Sequence, residues 1–293
     1  MKTSLHKITT EDGLTLHGVL YEPDEPTDKI LIHVHGMAGN FYENKFLEFI
    51  AKTLTDNGIS FSPFNNRGNG HITDFVRING GKKDFVTYGS SQERFEDCIY
   101  DIQAHIDFVK EQGYKNIHLA GHSLGSPKVA YYSTQTNEDL KSIIFLSPSD
   151  MLGLVRGDED SGFGDYKNEM PIAEKLVAEG KENELLPKYV WGEYPITAGT
   201  YVNLFNDSSK TAIFNFHNND LGFEVLNKIK YSTFAIVGSK DDVLIKPVDE
   251  IMNTLRVELK SSPRVETRVI EGANHGYQDH EQELADTLLS WIK

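Results

Sequence analysis

Short, dense apolar runs alternate along the chain with longer stretches in which apolar residues recur every three or four positions. The first pattern marks strands buried on both faces, the second amphipathic helices. "KILIHVHG" (29–36), "ISFSPF" (59–64), "KNIHLAG" (115–121), "KSIIFLS" (141–147), "YSTFAIVG" (231–238) and "RVETRVIEG" (264–272) are of the first kind. "NKFLEFIAKTLTDNG" predicts a helix stopped by Gly58. The clearest helix spans Gln92 to Gln112, with Phe95, Cys98, Ile99, Ile102, Ile106 and Val109 on one face. Further helices are expected over Leu124–Thr134 and near Asp279–Ile292. At the N-terminus "SLHKITT" and "LTLHGVLYE" flank "EDG", which reads as an antiparallel hairpin.

Strand and helix thus alternate, which predicts an α/β fold: a mostly parallel central sheet with helices on both faces. The alternation breaks near Pro148 and resumes near Tyr231. The expected organisation is therefore a core of residues 1–147 and 231–293. Residues 148–230 form a small cap insertion with a return helix, part of the same structural domain. This insertion holds short helical segments such as Ile172–Glu179 and is rich in aromatic residues.

Composition narrows the function classes. The net charge of −15 repels polyphosphate, so nucleic acid is not an expected partner. No apolar run approaches the ~20 residues that cross a bilayer, and no apolar leader opens the chain. Cys98 is the single cysteine, which fits a reducing compartment; the expected location is cytoplasmic. A homodimer is compatible with the sequence.

The candidate chemistry sits at strand ends. A serine hydroxyl becomes a nucleophile when a base, usually histidine, takes its proton, and a carboxylate orients that base. In a parallel sheet such groups come from loops at the carboxyl ends of strands. Ser123 follows "KNIHLAG", Asp241 and Asp242 follow "YSTFAIVG", and His275 follows "RVETRVIEG". Ser123 is the centre of G-H-S-L-G between a strand and a helix, the pattern of a nucleophile elbow. Pro127 lies where it interrupts a helix interior but suits a first turn, so it predicts that the helix starts no earlier than about Ser123. Two backbone amides are needed for a developing oxyanion. Leu124, directly after the serine, and Met37, in "HVHGMAGN", are the candidates.

These motifs in this order resemble those of α/β-hydrolase serine esterases: H-G-x-x-G at His35, N-x-R-G at Asn65, G-H-S-L-G at Gly121, G-x-x-D at Gly238 and G-x-x-H at Gly272. Within that superfamily the chain is most similar to the cinnamoyl/feruloyl-esterase and serine-aminopeptidase-like group. "GSSQERFEDCIYDIQAHIDF" is similar, more weakly, to fungal fusarinine esterase relatives. The resemblance implies an α/β-hydrolase fold and hydrolysis of carboxylic esters without metal or cofactor. It also implies that Asp241, three residues after Gly238, is the acid in preference to Asp242, and that His275, not His280, is the base.

The expected activity is a serine carboxylesterase acting on small to medium acyl or aryl esters through a Ser123–His275–Asp241 triad. A thioesterase, peptidase or acyltransferase on the same triad, or a ligand-binding homologue without catalysis, are the alternatives. Aromatic residues of the insertion, Phe163, Trp191 and Tyr194, are candidates to line the substrate pocket. His33 and His35 lack further ligands at metal spacing, so a packing role near the oxyanion loop is expected. His122 is expected to pack or hydrogen-bond locally, Arg67 to fix its loop by an ion pair, and Cys98 to act as a small hydrophobe.

Overall fold

In the computed structural model, which describes residues 1–157 and 166–293, the apolar runs become the strands of one sheet. In chain order these are β1 (Lys2–Thr9), β2 (Thr15–Glu22), β3 (Lys29–Val34), β4 (Ser60–Phe64), β7 (Asn116–His122), β8 (Leu140–Leu146), β9 (Ser232–Gly238) and β10 (Val265–Ile270). Two strands, β5 (Thr73–Asn79) and β6 (Lys82–Tyr88), pair separately. The spatial order is β1-β2-β4-β3-β7-β8-β9-β10. β1, β2 and β4 run antiparallel to their neighbours at that end, and every pairing from β4 through β3 to β10 is parallel.

Alternation along each strand divides the interior in two, because successive side chains point to opposite faces. In β3, Leu31 packs with α1 (Phe46–Thr55) and α9 (Glu281–Ile292), while Ile30 and Ile32 face the other layer. That second layer contains α2 (Cys98–Glu111), α3 (Gly125–Gln135) and α8 (Val248–Glu258). Between β8 and β9 lie α4 (Met151–Arg156), α5 (Tyr166–Ala178), α6 (Ala198–Phe205) and α7 (Glu224–Lys228). Leu186, Val190, Ile196 and Tyr201 of this stretch are buried in the same apolar cluster as the second layer. No described helix is long and apolar enough to cross a membrane.

Three features depart from the sequence pattern. The β5–β6 hairpin is not announced by hydrophobic alternation, because most of its residues are exposed or half-exposed and Phe75 alone is buried. The long helix predicted from Gln92 begins later, with a 3-10 turn at Phe95–Asp97 leading into α2. Its first turn is lost because Glu93 points inward, fully buried, and the Phe95 N–H is held by Asn203 Oδ1 at 2.8 Å. His280 precedes α9 instead of lying within it. Pro127 is the third residue of α3, within the first turn, as its chemistry requires.

Arg67 fixes the loop after β4. Its guanidinium is 1% exposed and meets Asp101 at 2.8 Å, Asp12 at 3.0 Å and Asp97 at 3.2 Å. Burial opposes the charge, but Asp101 and Asp12 overcome it and raise its pKa. Cys98 is buried on α2, and burial pushes its thiol far above its ordinary range, as for an inert hydrophobe.

Candidate active site

Five adjacent parallel strands, β3, β7, β8, β9 and β10, each present one element of the site at their carboxyl ends. Met37 follows β3, Ser123 follows β7, Ser149 follows β8, Asp241 follows β9 and His275 follows β10. This is the crevice in which parallel sheets assemble sites.

Ser123 sits at a bend with φ 55°, the left-handed region that β-carbon-bearing residues avoid. The surroundings enforce it: the Ser123 N–H donates to Leu146 O at 3.0 Å, and Ser126 N–H donates to Ser123 O at 2.9 Å. Strand and helix cross so closely here that a β-carbon on Gly121 would stand 2.1 Å from Gly125 O. One on Gly125 would stand 2.1 Å from Val34 O. Glycine at both positions is thus a requirement of space.

His275 Nδ1 lies 2.9 Å from Asp241 Oδ1. A carboxylate only accepts, so Nδ1 carries the proton and Nε2 is left as the basic nitrogen. The Asp241 side chain is fully buried, and Oδ1 also accepts the Val243 N–H at 3.1 Å. Burial alone would raise its pKa; the hydrogen bond and charge of His275 outweigh it and hold the carboxyl below its usual range. Asp242 is exposed.

The Ser123 hydroxyl meets Ser149 Oγ at 3.3 Å; among the described residues no hydrogen bond joins it to His275. Both nevertheless line one cavity of about 460 Å³, together with Met37, Leu124, Trp191 and Tyr194. Neither the Met37 nor the Leu124 N–H has a hydrogen-bond acceptor among the described residues. Trp191 and Tyr194 meet edge to face at 5.5 Å and form one wall, whereas Phe163 lies outside the described residues.

His122 packs edge to face against Phe46 at 5.2 Å, as expected, and also makes a bond distant in sequence. Its Nε2 donates to the backbone O of His275 at 2.9 Å, across 153 residues, and so ties the His275 loop to the turn at Ser123. Burial first, then neighbouring His275, pushes its pKa down to about 3, so it stays neutral. His35 is also buried neutral, near 3, and bonds Gly36 O through Nδ1. Two further groups carry no local signature in sequence. Ser149 touches the Ser123 hydroxyl. Asp150 caps α4 by accepting the Gly153 N–H at 2.8 Å and binds His217 Nδ1 at 2.8 Å. Their one legible cue is position, directly after a strand lying between those that carry Ser123 and Asp241.

Comparison with known proteins bears on the fold. The family model described as serine aminopeptidase, S33, matches residues 25–154. Among curated proteins none matches the chain. Solved structures that it resembles include Est1E from Butyrivibrio proteoclasticus with bound ferulic acid. The identity is 17%, with 97% of each chain covered and a TM-score of 0.68. The esterase Pf2001 from Pyrococcus furiosus is 19% identical, covering 100% of this chain and 92% of that one, with a TM-score of 0.60. The α/β hydrolase GrgF from Penicillium sp. sh18 is 16% identical, covering 100% and 98%, with a TM-score of 0.68. Family match and neighbours together support a hydrolase.

Proposed function

We propose that this chain, an α/β hydrolase by fold, is a serine carboxylesterase acting on small to medium acyl or aryl esters. One observation carries the reading: a strained Ser123, a buried Asp241–His275 pair and two unpaired amides converge on one cavity. The Ser123 hydroxyl turns from Ser149 toward His275 when substrate binds, a tightening common to hydrolytic sites that are loose when empty. Its Oγ attacks the ester carbonyl as His275 Nε2 takes its proton. The Met37 and Leu124 amides hold the negative oxygen, the latter also at the positive end of α3. His275 returns the proton to the leaving alkoxide, and a water activated by the same nitrogen releases the acid. Asp241 holds the imidazole tautomer throughout. Residues 148–230 act as the cap, with Trp191 and Tyr194 as its wall of the substrate pocket.

A fluorophosphonate probe tests the reading. It is expected to label the folded protein at Ser123, and p-nitrophenyl esters of short acids are expected to turn over. A folded protein that neither labels nor hydrolyses esters would overturn the proposal in favour of a binding role. The serine aminopeptidase match makes aminoacyl amides the second class for the same panel; turnover of amides above esters moves the activity to a peptidase.

The acid is tested separately. Asp241→Asn removes the charge that stabilises the imidazolium and admits the wrong tautomer, so kcat should fall by about 10³-fold or more. Asp242→Asn, on an exposed side chain, should change kcat less than twofold. The reverse ranking would transfer the role to Asp242.

A further inference from the structure

The oxyanion loop rests on a buried charge pair that ester chemistry does not use. Lys128, on the first turns of α3, and Glu93, before α2, have side chains only 1% exposed and meet at 2.5 Å. Such a pair is a poor investment in stability, since apolar residues of similar volume often do as well or better. Here the cost is increased, because Glu93 Oε1 has no hydrogen-bond partner among the described residues. The carboxylate also fills space left by Gly68, where a β-carbon would stand 2.5 Å from Oε1.

We propose that the Lys128–Glu93 pair is a positioning device that aims the Met37 amide, acting through Asn66 and His35. The inference rests on the reading of Met37 as an oxyanion donor. Lys128 Nζ lies 3.3 Å from Asn66 Oδ1, which also accepts the Gly68 N–H at 2.9 Å. An ammonium and an amide N–H can only donate, so they fix which end of the Asn66 carboxamide is oxygen. The Asn66 Nδ2 is thereby turned to donate to His35 O at 3.2 Å, while the Asn66 N–H donates to His35 Nε2 at 3.0 Å.

Nε2 being an acceptor, His35 carries its proton on Nδ1, which donates to Gly36 O at 2.8 Å. The Gly36 carbonyl and the Met37 N–H belong to one planar trans peptide and point in opposite directions. Holding the carbonyl toward His35 therefore turns the Met37 N–H the other way, and Met37 borders the cavity that Ser123 lines. Neutrality of His35 is essential to this relay. Burial secures it, and the neighbouring Lys128 cation opposes protonation further.

The test separates aiming from mere support. Lys128→Met alone strands a buried carboxylate and should lower Tm. The double variant Lys128→Met/Glu93→Leu removes both charges and should regain most of that stability. If the pair aims the amide, the double variant keeps KM within about twofold yet loses about 10-fold or more in kcat, part of what a whole oxyanion donor supplies. A boronic-acid inhibitor that forms the tetrahedral adduct should weaken by a similar factor. Wild-type kcat in the stable double variant, or a loss carried by KM alone, overturns the inference. Should the double variant not fold, Glu93→Gln, which keeps the side-chain shape, is read by the same two constants. A wild-type protein without ester hydrolysis would sink the functional reading instead, so the two failures are distinguishable.

Discussion

Ser123→Ala should lower p-nitrophenyl-ester hydrolysis by at least about 10³-fold while the protein stays folded. The loss follows from chemistry: without Oγ no acyl-enzyme forms, and only binding and the oxyanion amides remain to assist water. Folding is spared because, among the described residues, the hydroxyl's one hydrogen bond is to Ser149 at 3.3 Å. Backbone strain sharpens the expectation. At φ 55° a β-carbon costs on the order of 1 kcal/mol, which glycine avoids. Ser123→Gly should therefore be as inactive as the alanine variant and more stable than wild type. Circular dichroism melts and initial rates on the same preparations check both. Activity of Ser123→Ala within tenfold of wild type would remove Ser123 from the mechanism.

The strained serine also shows why so much of the candidate site is legible in the sequence. Ser123, Asp241, His275, Met37 and Leu124 all sit in loops at strand ends, and strand ends are visible as the stop of an apolar run. The cavity borders all but Asp241, which is tied to it through His275. Trp191 and Tyr194 were legible as aromatics of an insertion, yet which of them faces the cavity depends on loop geometry that periodicity does not encode. Long-range polar partners were illegible for a related reason. His122 with the carbonyl of His275, Asp150 with His217, and Lys128 with Glu93 are joined across tens of residues and carry no local pattern. The same contact explains the misplaced start of α2. Glu93 reads as a helix-surface residue by its spacing, and its inward turn to Lys128 cannot be inferred from the residues around it.

Acid should unfold this protein near pH 5, a higher midpoint than its carboxylates alone would produce. Five histidines, His33, His35, His105, His118 and His122, are no more than 8% exposed. Burial, the largest cause in each, pushes His35 and His122 down to about 3 and His118 to about 4; His33 and His105 fall well below their ordinary value. Their neutral form is favoured by folding, so the unfolded chain binds more protons below its value near 6.5. Stability is therefore complete above pH 7 and declines as pH falls from there toward the folded values. At pH 5 His35, His118 and His122 cost about 2 kcal/mol each, about 6 together, and His33 and His105 act in the same direction, against a typical folding free energy of about 5–15 kcal/mol. Paired carboxylates such as Asp241, whose pKa is lowered, act later, since their stabilisation is lost only below about pH 4. Relief of self-repulsion as the net charge of −15 is neutralised opposes the decline but is spread over the surface and screened by salt. Tryptophan fluorescence and circular dichroism against pH give the midpoint. One below pH 4 would mean that the buried histidines do not govern acid stability. His118→Asn, which removes one titrating ring bonded at 2.7 Å to Ser142, should make the decline between pH 7 and pH 5 shallower by about 2 kcal/mol. Because His35 bonds Gly36 O beside Met37 and His122 bonds His275 O, esterase activity should not outlast that midpoint.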